Sequence, residues 1–71
     1  MRRIGAHEII TDGATLRQAV VEISGDRVVN YYEFRDELPM TEWLGGTIIV
    51  SRDDEGILRA VKDGVLLADD E

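Results

Sequence analysis

The segment Trp43-Leu44-Gly45-Gly46-Thr47-Ile48-Ile49-Val50 is the most apolar part of this 71-residue chain, and it decides what fold we expect. A short run of β-branched residues that follows a glycine pair is typical of a buried strand. Because Ile48, Ile49 and Val50 are all apolar, we expect this strand to be buried on both faces. The other elements are therefore expected to pack around it.

Segments on both sides of this run also have the composition of strands. Alternating apolar and polar residues and aromatic or β-branched content favour strands over short turns of helix. The predicted strands are residues 2–10, 16–23, 27–34, 57–62 and 65–68, with the central strand at 47–52. Turn signals rich in Asp and Gly separate them, and the pair Asp63-Gly64 has the composition of a type I′ hairpin turn.

Pro39 interrupts this succession of strands. It cannot donate to a strand ladder, and it disfavours a helical conformation at Leu38. Residues 40–44 are compatible with one turn of helix or with a wide loop. The sequence therefore predicts a single all-β domain over residues 1–71, a small antiparallel sandwich or barrel of five to six short strands with at most one helical turn.

The composition limits the partners and the compartment that we expect. Fifteen Asp and Glu residues against eight Lys and Arg residues give a net charge of −7, which repels nucleic acid and anionic membranes. No apolar run is long enough to span a bilayer. The chain has no cysteine, whereas a secreted domain of this size usually carries disulfides, so we expect a cytoplasmic protein.

The sequence offers no complete catalytic or metal-binding motif. His7-Glu8 begins the zinc-protease pattern H-E-x-x-H, but Thr11 stands where the second histidine is needed, and the chain has one histidine. The acidic residues 53–55 lack the alternating spacing of a calcium loop. His7 is also the only base available to activate a serine. We therefore expect no enzyme activity, no metal and no cofactor.

Aromatic and large apolar side chains are the candidate interaction residues. If Trp43 is exposed with Met40 and Leu44, these side chains form an anchor for a partner; if it is buried, they form a lid over the open end of the barrel. We favour the lid. The candidate residues, which include two tyrosines of the third strand, are Met40, Trp43, Leu44, Tyr31 and Tyr32.

Four segments resemble the strands of a known enzyme superfamily. Residues 3–13 (RIGAHEIITDG) and 20–29 (VVEISGDRVV) are similar to the N-terminal strands of amidohydrolases, in which a T-D-G turn and a D-G-R-I segment recur. Residues 46–50 (GTIIV) and 58–67 (LRAVKDGVLL) are similar to that family's C-terminal strands. The resemblance implies a small β-sandwich of the kind that lies beside the catalytic barrel in those enzymes.

The resemblance implies no catalytic residue in this chain. The family's metal ligands, a His-x-His pair with further histidines and an aspartate, lie on the barrel, which would be inserted where this chain has only residues 31–44. We therefore expect a non-catalytic β domain that acts through protein contacts, as a homo-oligomer or as an accessory subunit. The alternative is a small-molecule binding module with a pocket near Trp43, lined by residues 39–46 and by Tyr31 and Tyr32.

Overall fold

The structure, a computed structural model, describes residues 1–35 and 41–69, and these residues form one seven-stranded β-sheet. This confirms the predicted all-β class, and no helix occurs within the described residues. Six of the strands match the predicted segments to within two residues at each end. The strands are β1 (Arg2–Thr11), β2 (Ala14–Ser24), β3 (Arg27–Glu33), β4 (Glu42–Trp43), β5 (Thr47–Arg52), β6 (Leu58–Lys62) and β7 (Val65–Leu66).

The sheet differs from the expected antiparallel arrangement at β1. The strand order is β3-β2-β1-β5-β6-β7, and β4 also pairs with β1. The pairs β1–β2, β2–β3, β5–β6 and β6–β7 are antiparallel, but β1 pairs in parallel with both β4 and β5. The additional strand β4 lies where one helical turn or a loop was expected. Residues 36–40, including Met40, are outside the described part of the chain, as are residues 70–71.

Only one face of β5 is buried. Ile48 and Val50 are almost fully buried, as expected, but 49% of Ile49 is exposed. The expectation that both faces of this strand are buried is therefore wrong, because the sheet covers the core from one side at β5. The buried apolar core comprises Ile4, Ala6, Ile9, Ala19, Val21, Ile23, Val28, Ile48, Val50, Ala60 and Leu67.

β1 and β2 change faces part of the way along their length. Ala6 and Ile9 both belong to the core although they are three residues apart, whereas a regular strand returns to the same face every two residues. The irregularity lies opposite His7, where Gln18 has a φ of 50°. Because Gln18 adopts this left-handed conformation, the apolar residues on either side of it reach the same core.

A bulge has the same effect in β3. Glu22 pairs with Asn30 and Ile23 pairs with Val28, so Val29 is an extra residue without a partner on β2. Val28 is buried and Tyr31 packs against the core. Without the bulge these two side chains would point to opposite faces, because they are three residues apart.

Contacts between turns hold the curled sheet together. The Arg59 guanidinium on β6 lies 2.9 Å from the Asp26 carboxylate in the β2–β3 turn and 3.0 Å from the Asp53 carboxylate in the β5–β6 turn. The backbone N–H of Asp69 donates to the carbonyl of Gly25 over 2.7 Å. The two ends of the sheet therefore face each other across the core.

The hairpin turns follow the sequence signals. Asp63 and Gly64 have φ values of 53° and 79°, as a type I′ turn requires. In the β5–β6 turn, Oδ1 of Asp53 accepts the backbone N–H groups of Glu55 and Ile57 at 2.9 and 3.0 Å. The bond from Ile57 is the largest reason that the pKa of Asp53 lies below its ordinary value of 3.8, and Arg59 lowers it further.

Candidate functional site

Strand β4 holds Trp43 against the outer face of the sheet, away from the main core. Glu42 and Trp43 lie beside Ile4 and Gly5 of β1, and the N–H of Leu44 donates to the Gly5 carbonyl over 3.0 Å. Arg2 fixes β4 further, because two nitrogens of its guanidinium bond both Glu42 carboxylate oxygens at 2.9 and 3.0 Å. This hydrogen bonding lowers the pKa of Glu42 below its ordinary value.

Glycine at position 5 allows the indole of Trp43 to lie directly on the backbone of β1. A Cβ atom at this position would stand 2.7 Å from Cε3 of Trp43 and 3.1 Å from its Cζ3, well inside contact distance. Val20, which pairs with Gly5 on β2, is fully buried although it does not belong to the main core. The indole and its neighbours therefore form a second, smaller apolar cluster on the outer face.

Two further rings hold the indole in place. His7 lies edge-to-face with Trp43 at a centroid distance of 5.0 Å, and Phe34 does so at 6.3 Å. Such pairs contribute roughly 0.5–1.5 kcal/mol each beyond the area they bury. We call His7, Phe34, Trp43 and Leu44 the Trp43 surface. Half of Trp43 (50%) and 43% of Leu44 remain exposed on it.

The structure places Tyr31 and Tyr32, two of the candidate interaction residues, on opposite faces of the sheet. Tyr31 packs against the main core, whereas Tyr32 lies on the outer face opposite Val20 and donates its hydroxyl to the Glu22 carboxylate at 3.0 Å. Burial raises the pKa of Tyr32, and the bond to Glu22 raises it further. Of the candidate residues, the structure therefore brings together Trp43 and Leu44, and Met40 lies outside the described residues.

Trp43 does not have the burial expected of a lid. Half of its side chain is exposed, and its ring lies on the outside of β1. Sequence reasoning connected neither Phe34 nor His7 with Trp43, so it missed that both contact the indole. No local signal could have found them, because the three residues come from separate segments that meet only through the pairing of β1 with β2 and β4 and of β2 with β3.

A cavity of about 660 Å³ lies elsewhere, where the ends of β1 and β5 separate. Tyr31 lines this cavity and Trp43 does not, so it is a different site from the pocket that we expected near Trp43. Within residues 1–35 and 41–69, no group of three or more His, Cys, Asp or Glu side chains is placed to hold a metal ion.

The fold and the site define a small mixed β domain with an exposed aromatic surface. Comparison of the chain with protein-family models, with curated proteins and with solved structures gave no match. The described residues contain no helix that is long and apolar enough to cross a membrane.

Proposed function

We propose that this chain is a non-catalytic accessory subunit that binds another protein through the Trp43 surface. The observation that carries the proposal is that Trp43 is half exposed and yet fixed on three sides, by Gly5, His7 and Phe34. Tryptophan is enriched among the residues that dominate binding energies at interfaces. A side chain that is already held loses little conformational freedom when a partner covers it.

The charge of the chain favours a different protein over a second copy as the partner. Each copy carries a net charge of −7, and two such copies repel each other. Several of the basic side chains are already occupied by acidic neighbours: Arg2 pairs with Glu42, and Arg3 with Glu22. We therefore infer a partner with a basic rim around an apolar contact, and neither nucleic acid nor a membrane surface.

The amidohydrolase resemblance supports the same surface. In the resembling enzymes the barrel would be inserted in the region of residues 31–44, and Phe34 and Trp43, which lie near the two ends of that region, are in ring contact. A barrel carried by a separate chain would meet this domain at the same place. The absence of cysteine favours a reducing compartment, so we place the complex in the cytoplasm.

The alternative function, binding of a small molecule in a pocket beneath Trp43, has less support. The space between the indole and β1 is so small that a single methyl group on Gly5 does not fit. A ligand would have to lift the ring and break its contacts with His7 and Phe34. The exposed outer side of the indole is flat and suits a protein surface better than an enclosed small molecule.

Site-directed photo-cross-linking tests the proposal. A benzophenone amino acid is placed at Leu44 and, as the matched control, at Val65 on β7, which is 63% exposed and lies on the far strand of the sheet. In cells of the source organism, we expect one other protein to be linked at Leu44 and not at Val65. The linked protein is then identified by mass spectrometry and purified.

Binding of the purified partner should depend on the Trp43 surface. Trp43→Ala should weaken binding at least about tenfold, as expected for an interface anchor that contributes about 2 kcal/mol. Leu44→Ser, which removes only a half-exposed side chain, should weaken binding while the far-ultraviolet circular dichroism is unchanged. Equal cross-linking at Leu44 and Val65 would overturn the proposal. A product formed only between two copies of this chain would overturn the accessory-subunit assignment.

A further inference from the structure

The cavity between β1 and β5 arises because these two parallel strands stop pairing before they end. They pair from Glu8–Thr47 to Ile10–Ile49, although β1 continues to Thr11 and β5 to Arg52. Beyond this point β1 turns into the hairpin with β2, and β5 stays with β6. The strands separate, and the space of about 660 Å³ opens between them.

The lining of this cavity is apolar at its base. Tyr31 and Leu58 are partly buried against the core, and Val50 is almost fully buried. Ile10 and Ile49, the last pair before the strands separate, are 42% and 49% exposed. Exposed isoleucines beside a cavity give a small apolar group a favourable place to bind.

Opposite charges stand on the two sides of the cavity. Asp12 lies in the β1–β2 turn and Arg52 at the end of β5, and both line the space. Asp12 forms no ion pair with any residue in the described part of the chain. Nη1 of Arg52 donates to the carbonyl of Gly56 over 2.7 Å, which leaves other N–H groups of the guanidinium for a ligand.

We propose that this cavity binds a small zwitterion with an apolar body, that is, a free amino acid with a large apolar side chain. Its ammonium group faces Asp12, its carboxylate faces Arg52, and its side chain covers Tyr31 and Leu58. Arginine recognises carboxylates through two parallel hydrogen bonds, which suits this role. The volume is in the range of roughly 300–1,000 Å³ that is typical of small-ligand sites. The site is independent of the Trp43 surface, which does not line it.

Titration of the isotope-labelled chain, followed through methyl resonances of Ile10, Ile49 and Leu58, tests the proposal. L-Phenylalanine is compared with phenethylamine, which lacks the carboxylate, and with 3-phenylpropionate, which lacks the ammonium group. We expect saturable shifts with phenylalanine and binding at least about tenfold weaker for each analogue, as loss of one charged contact implies.

Two charge variants assign the contacts. The Arg52→Gln variant should bind phenylalanine and phenethylamine with equal affinity. The Asp12→Asn variant should bind phenylalanine and 3-phenylpropionate with equal affinity. Arg27→Gln, which removes an exposed charge outside the cavity, and Trp43→Ala should both bind phenylalanine as the unaltered chain does. The proposal is overturned if the shifts do not saturate at phenylalanine concentrations up to about 10 mM, which is above the Kd expected of a functional site of this kind. Equal affinity for the three compounds also overturns it.

Discussion

Replacement of Gly5 by alanine tests whether the Trp43 surface is built as described. The new Cβ would stand 2.7 Å from Cε3 of Trp43, and an approach this close forces one of the two groups to move. The backbone of β1 is held by strands on both sides, whereas the indole is half exposed. We therefore expect the ring to swing outward and to lose its edge-to-face contacts with His7 and Phe34.

Two opposing terms set the size of the effect. Crowding in a packed site costs about 1–3 kcal/mol. Alanine is favoured over glycine inside a strand by roughly 0.5–1 kcal/mol, because glycine loses more backbone freedom on folding. Gly5→Ala should therefore lower the free energy of unfolding by an amount between zero and about 2.5 kcal/mol. With Trp43→Ala already present the crowding is gone, and the same change should stabilise the protein by about 0.5–1 kcal/mol.

Urea unfolding of the four proteins in this double-mutant cycle measures both values. The chain has one tryptophan, so its fluorescence reports the position of this ring alone. Gly5→Ala should shift the emission to the red and increase quenching by acrylamide. An unchanged emission spectrum, or the same change in stability with and without Trp43, would show that the indole does not rest on Gly5 and would refute the reasoning.

Two further predictions concern the core and the β5–β6 turn. Ile48→Ala should lower the free energy of unfolding by about 2–5 kcal/mol because Ile48 is fully buried, whereas Ile49→Ala should lower it by about 0.5 kcal/mol or less. Similar urea midpoints for the two variants would contradict the assigned faces of β5. Because folding lowers the pKa of Asp53, its ionised carboxylate stabilises the folded chain. This stabilisation is fully present above pH 3.8 and is lost as the pH falls through the pKa of Asp53 in the folded chain. Asp53→Asn should flatten the acid limb of stability against pH.

The parts of the fold that depend on local sequence were predictable. Strand limits followed from alternation and from turns rich in Asp and Gly, and the Asp63-Gly64 turn has the two positive φ angles that its composition predicts. β4 was not predictable, because a strand of two residues has no pattern of its own and exists only through its pairing with β1.

The candidate site was predictable only in part. The composition around Trp43 indicated an interaction residue, but its partners Gly5, His7 and Phe34 are distant in sequence. The faces of β1, β2 and β3 depend on the φ of Gln18 and on the extra residue Val29, and neither has a sequence signal of its own. The pocket at Trp43 stays a prediction, and the cavity that Tyr31 lines is a different one.

The parallel pairing of β1 with β5 has a consequence for folding during synthesis. The hairpin of β1 and β2 joins residues close in the chain, but the other edge of β1 cannot pair with β5 until Ile48 and Ile49 have been synthesised. At translation rates of about 5–20 residues per second, the 38 residues from Thr11 to Ile49 take roughly two to eight seconds. For that time the nascent chain presents an apolar strand edge. This interval is when a chaperone, or a subunit that is already folded, would have the greatest effect on yield.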